Sequence, residues 1–263
     1  MNIKSLAVDA SAIIVMSLIT QAAEAQSIAS RVAAAPDGKV RITFPAKPEI
    51  CGYNNSISRG GNNRMNWSSN ESADVEYDNE CSTGPVRMVL WVDNGLVTKL
   101  RTHVGGNWRT ASGVTDLGAV SAKDATDYLL ALASTDRGSA GRDAILPMTL
   151  ADGVVIWPGL VQLVRNDDRP LSTRKQAMFW LGAAAGDRLV GPRAHFAKED
   201  DVTDVKKSAV FALSQRRNGE AVPALIEVAR NNRDPEVRKS ALFWLGQTMD
   251  SRAITLFEEI LRK

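Results

Sequence analysis

The chain has 263 residues, of which 44% are hydrophobic and 24% charged, with two cysteines and a formal net charge of +2. These values are ordinary for a globular protein of one large domain or two small ones. So weak a basic excess excludes nucleic acid as the expected partner, because that function calls for a strongly basic face.

At the N-terminus, Lys4 precedes a largely apolar run from Ala10 to Ile19, and Ala23 and Ala25 flank Glu24 in the "AAEAQ" that follows. The pattern predicts a secretory signal over residues 1–25, removed after Ala25, and so a periplasmic or secreted bacterial protein; Asp9 is its untidy feature. The competing reading is a buried N-terminal helix, since the run falls short of the roughly 18 apolar residues of a spanning helix. No later stretch is long and apolar enough to span. Cleavage would remove Lys4, Asp9 and Glu24, leaving 31 basic and 28 acidic residues. Cys51 and Cys81 both lie early in the remaining chain, and export predicts that they are bridged, with two free buried thiols as the alternative.

Residues 26–115 read as a small β-rich module. "VRITF" alternates from Val40 to Phe44, and "VRMVLWVDNGLVTKLRTHV" predicts a hairpin. A two-residue Asn94-Gly95 loop would pair Val92 with Val97. A three-residue loop would pair Val92 with Leu96, and it is preferred because it sets Val86, Met88, Leu90, Val92, Leu96, Thr98, Leu100 and Val104 on one face and Arg87, Lys99, Arg101 and His103 on the other. In "ESADVEYDNEC", Asp74, Glu76, Asp78 and Glu80 fall at every second position and predict a solvated acidic strand face opposite the Lys99, Arg101 and His103 row. A calcium site is disfavoured, because the glycine and closing glutamate of a calcium loop are missing. The Gly, Asn and Ser-rich stretch between Cys51 and Asp74 reads as loop.

From residue 116 to the C-terminus the expected elements are all helices. Ser121 and Asp124 form a weak capping box. "WPGLVQLVR" (157–165) matches "VPALIEVAR" (222–230), and "RKQAMFWLG" (174–182), "KKSAVFALS" (206–214) and "RKSALFWLG" (238–246) repeat one phrase, with Ala177, Ala209 and Ala241 spaced 32 residues apart. "RDAILPMTL" (142–150) is a worn copy, and a last helix begins near residue 250. Periods in the thirties built of paired helices predict a solenoid.

"DPEVRKSALFWLG", with its Asp-Pro, Val-Arg, Ala and Leu-Gly, resembles the HEAT repeat, particularly the short bacterial kind of phycobilisome-lyase-like proteins. The resemblance covers about 140 residues and weakens in the third repeat, where "PRAHFAKEDD" replaces a clear first helix. It implies a mainly α chain: a HEAT-like α-α superhelix over 116–263, preceded by a small disulfide-bridged β-rich module. It also implies a pairing of Arg238 with Asp234 or with an acid of the next repeat.

On a helix, Val237, Ala241, Trp244 and Leu245 share a core-facing arc, while Lys239, Phe243 and Gln247 form a stripe almost opposite. The corresponding stripes are Lys207, Phe211 and Gln215, and Lys175, Phe179 and Ala183. In a HEAT-like superhelix the second helices line the concave surface, so Lys175, Phe179, Lys207, Phe211, Gln215, Lys239, Phe243 and Gln247 are the candidate partner-binding residues. The alternative is that the phenylalanines pack between layers. Trp180 and Trp244 are assigned to the core.

No H-E-x-x-H, nucleophile elbow or phosphate-binding loop occurs, and His103 and His195 lie in different halves. No catalytic residue, metal or cofactor is predicted. The functional expectation is an exported, non-enzymatic scaffold for another protein of the cell envelope. The alternative is an enzyme or enzyme subunit, lyase- or hydrolase-like, with a site between the β module and the first repeats.

Overall fold

Asn94 and Gly95 both adopt positive φ, 50° and 74°, the conformation a two-residue hairpin loop requires. The turn therefore pairs Asp93 with Leu96 and Val92 with Val97, not Val92 with Leu96. A bulge at Thr98 then shifts the register by one, so that Leu90 faces Leu100, Met88 faces Thr102 and Val86 faces Val104. The expected inside–outside division survives beyond the bulge, while Leu96, expected on the core face, is 70% exposed.

The computed structural model describes residues 27–53, 56–59, 74–77, 81–190, 207, 210–211, 213–214 and 221–263. The expected signal peptide, Asp78, Glu80, His195 and Gln215 lie outside these residues. In chain order the elements begin with α1 (Ile28–Ala33), β1 (Gly38–Phe44), β2 (Ile50–Tyr53), β3 (Ser56–Arg59), β4 (Val75–Glu76) and β5 (Ser82–Thr83). The hairpin β6 (Val86–Asp93) and β7 (Leu96–Val104) follows, then β8 (Asn107–Trp108) and β9 (Val114–Ala119). The main sheet has the order β7-β6-β1-β9, antiparallel except that β9 runs parallel to β1. Strands β3-β2-β5 form a second sheet, so part of the stretch read as loop is a hairpin, and β4 pairs with β8.

Nine helices have both ends within the described residues. After α1 come α2 (Ala122–Thr135), α3 (Ser139–Asp143), α4 (Ile145–Leu150), α5 (Trp157–Arg165), α6 (Leu171–Val190), α7 (Ala221–Asn231), α8 (Pro235–Leu245) and α9 (Ser251–Arg262). The α2 cap is the expected one: Ser121 Oγ accepts from Asp124 N at 3.0 Å. Helix α8 starts at Asp234, which accepts from Glu236 N, with Pro235 in its first turn. Lys207, Val210, Phe211, Leu213 and Ser214 are also helical.

The fold class departs from the expected mainly-α superhelix. Residues 28–119 form a substantial β region, β9 carries strand structure past residue 116, and no long solenoid is evident among the described helices. One face of the main sheet, with Val40, Ile42, Phe44, Met88, Leu90 and Val104, shares a continuous apolar core with Leu129, Ile145 and Met148 of the first helices. Helix α3 packs on β7 and α4 on β6.

Solenoid stacking translates each repeat onto the next and keeps equivalent helices parallel. Here α6 packs directly on α8 in the opposite sense: a Cβ on Gly182 would stand 2.9 Å from Gly246 Cα and 3.0 Å from Leu242 O, while Gly186 neighbours Lys239 and Gly246 neighbours Met178. Positions 64 residues apart thus touch each other, as across a local two-fold axis. Glycine permits so close an approach, and the intervening copy has Ser214 at the equivalent position. Helix α9 completes the group. Phe257 reaches Gly182, and Glu258 and Glu259 pair at 2.7 and 2.6 Å with Arg165 and Arg230, the equivalent last residues of the two first-helix motifs.

Candidate functional site

The crossing of α6 on α8 brings the aromatic residues of the repeated phrase together. Phe179 and Phe243 meet edge to face with ring centroids 5.9 Å apart, and Trp244 lies 5.1 Å from Phe243 and 5.0 Å from Phe211. Trp180 stacks edge-on against Phe179 at 5.1 Å. Such pairings are favourable beyond the area they bury. Phe211 and Phe243 nevertheless remain 47% and 41% exposed, whereas Phe179 is half-buried and Trp180 is buried.

The cations of the expected stripe do not fall into one row. Lys175 is exposed, and Lys239 packs its side chain beside Gly186, eleven residues further along α6. That interval is about 16 Å on a helix, a consequence of the antiparallel crossing. Lys207 approaches Glu236 at 4.0 Å, and Gln247 is exposed. Arg238 donates to the backbone carbonyls of Asn232 and Arg233, at 2.8 and 3.3 Å, in place of the expected acid. Trp244, assigned to the core, is only half-buried and joins the two exposed phenylalanines into one patch. Its place beside Phe243 in "LFW" was the available signal, masked by the core-facing arc of the helix wheel.

The second region of interest is the other face of the main sheet. Its cross-strand rows are Lys39, Trp91, Lys99; then Arg41, Val89, Arg101; then Thr43, Arg87, His103. The expected segregation of Arg87, Lys99, Arg101 and His103 holds, but the face is largely covered. Arg41, Arg101 and His103 are buried, and so is Asp74, expected in a solvated acidic row. Asp74 binds Lys39 at 2.6 Å and Arg101 at 3.4 Å. Lys39, Lys99 and Arg101 surround the Trp91 ring at 5.0–5.3 Å, and Arg41 and Arg87 lie at 4.7 and 5.3 Å from the ring of Trp108. Arg87 also donates to the carbonyls of Gly105 and Gly106. No group of three or more His, Cys, Asp or Glu side chains converges among the described residues.

Burial pushes the His103 imidazole down from 6.5 to about 4; Asp74 opposes the shift, and Arg101 and Arg87 reinforce it. The unfolded chain therefore takes up a proton near pH 6.5 that the folded chain refuses until about pH 4. Stability is intact above 6.5 and falls as the pH drops between these values, by about 3 kcal/mol at most. Urea unfolding at pH 7.5 and 4.5 should show a larger acid loss in the wild type than in His103→Gln. Equal losses would contradict the assignment.

A shallow cleft lies elsewhere, lined by Phe44, Pro45, Pro48, Ile50, Thr83 and Pro85. No described helix is long and apolar enough to cross a membrane.

Comparison with known families matches residues 190–263 to HEAT repeats, the segment that holds α7, α8 and α9. No curated protein and no solved structure matches the chain. HEAT repeats commonly mediate protein interactions, and this segment carries three of the five rings of the aromatic cluster, Phe211, Phe243 and Trp244.

Proposed function

We propose that the helical half docks another protein, and that the partner seats on the aromatic face formed by Phe211, Phe243 and Trp244. The observation that carries the reading is the exposure of two phenylalanines, above 40% each, within a cluster whose other rings hold them in place. Aromatic residues held rigidly at a surface dominate protein interfaces, because they bury a large area at small cost in conformational entropy. Lys175 and Gln247 supply the polar surroundings of such a patch, with Phe179 at its base. The docking is non-enzymatic, and it uses the aromatic patch in place of the groove that a superhelix would have offered.

Export and an envelope partner belong to the same reading. The Cys51–Cys81 bridge, with Cα atoms 5.3 Å apart, suits an oxidising compartment, and the pattern of residues 1–25 supports removal before Gln26.

A photoreactive phenylalanine analogue placed at position 211 or 243 tests the face in intact cells. Position 155, an exposed valine away from the cluster, serves as control. The reading predicts a discrete adduct with an envelope protein from 211 and 243 and none from 155. Adducts of equal yield from all three positions, or none from any, would contradict it.

A further inference from the structure

We infer that the cationic face of the main sheet binds an oxyanion through Arg41. Arg41 is only 6% exposed. Its Nη1 donates to the carbonyl of Arg109 at 3.0 Å, and its guanidinium lies 4.7 Å from the Trp108 ring centroid. The group is therefore oriented from one end and from one face. Nε and Nη2, both buried, have no hydrogen-bond partner. These two atoms form the edge of the guanidinium that meets two oxygens of a carboxylate or phosphate side-on. Arg252 uses the same edge elsewhere in this chain, donating through Nε and Nη2 to the two oxygens of Asp250 at 2.9 and 2.7 Å.

The described acids nearby do not serve Arg41. Asp74 is engaged by Lys39 and Arg101. Asp116 pairs with Arg41 in the β1–β9 register, but its Oδ1 accepts from Gly118 N at 2.8 Å, and no ion pair joins it to Arg41 among the described residues. A buried guanidinium without an anion costs more than one stacked ring returns. Arg87, 5.3 Å from the same ring, adds a second positive charge. An oriented fork with fixed charge around it selects a ligand that presents two oxygens in one plane: phosphate, sulfate, or the phosphate ester or carboxylate of a larger molecule. The approach is past Trp108, which is half-buried on the two-residue strand β8 and followed by exposed residues 109–113.

The test titrates the full chain with inorganic phosphate, sulfate, O-phosphoserine and acetate against chloride at matched ionic strength, following thermal midpoint and tryptophan emission. A saturable rise in midpoint with a change in emission is expected for at least one of the four. Preference for O-phosphoserine over phosphate assigns the site to a phosphate ester, the reverse order to the free ion, and a response to acetate alone to a carboxylate. The apparent affinity should fall at least tenfold in Arg41→Lys, which keeps the charge and loses the fork, and should stay unchanged in Lys123→Gln, which alters an exposed lysine of α2. Absence of any saturable response in the unsubstituted chain overturns the inference whether or not the variants fold. An undiminished response in Arg41→Lys overturns it as well.

Discussion

Replacing Asp74 by alanine is expected to destabilise the fold by about 3–5 kcal/mol, because it removes the carboxylate that two cations share inside the protein. The Asp74 side chain is 2% exposed, that of Arg101 8% and that of Lys39 32%. The cost falls mainly on Arg101, whose side chain is buried and loses its carboxylate, whereas Lys39 is partly in contact with water. Urea denaturation should show the midpoint fall steeply in Asp74→Ala, and converting Arg101 to methionine in the same chain should recover part of the loss. A change below 1 kcal/mol would mean that Arg101 finds water or another acid, and that the covered face is open. Removing Asp127, which pairs with Lys123 at 2.5 Å on the exposed surface of α2, should have no measurable effect.

Opening the Cys51–Cys81 bridge, by Cys81→Ser or by reductant, should cost roughly 3.5 kcal/mol, the loop-closure entropy of the 30-residue separation in the chain-entropy model. The bridge encloses Asp74, Val75, Glu76 and Tyr77, the segment that covers the cationic face. Loss of the bridge and loss of Asp74 therefore act on one piece of structure, and their combined cost should be smaller than the sum of the separate costs. Strictly additive losses, or an unfolding curve unaffected by reductant, would contradict that coupling.

What the sequence disclosed followed from local rules. The Ser121 cap and the opposite faces of β6 were legible from residue type and spacing, while the bridge was expected only from the compartment that export would imply. The turn at Asn94-Gly95 was misjudged because strict alternation left no room for a bulge, and the bulge at Thr98 reconciles a two-residue loop with a buried Leu100. Asp74 was read as solvated because one-face alternation says which side a residue takes and nothing about what lies over that side. Strand β9 was missed because its Gly118 and mixed burial break the two-residue period, and its partner β1 lies some seventy residues earlier in the chain.

The arrangement of the helices was hidden for a different reason. A repeat in sequence was assumed to be a translation in space, and the residues that decide otherwise are small. Gly182 and Gly246 allow two copies of the phrase to cross in contact, and Ser214 distinguishes the copy between them. That difference of one residue was visible, but it acquires meaning only when the helices are known to touch. The candidate ridge was accordingly legible in its aromatic residues and not in its lysines: edge-to-face contact gathers the rings, and reversed direction separates the cations.

The aromatic face exists only if α6 and α8 cross as direct neighbours, and a nuclear Overhauser measurement with phenylalanine-selective labelling tests that most directly. Assignment by Phe179→Leu, Phe211→Leu and Phe243→Leu identifies each ring. The structure predicts ring-to-ring contact between Phe179 and Phe243, whose centroids are 5.9 Å apart. Contacts from Phe179 to Phe211 and from Phe211 to Phe243, with none between Phe179 and Phe243, would show the repeats stacked in sequence order and would contradict the account.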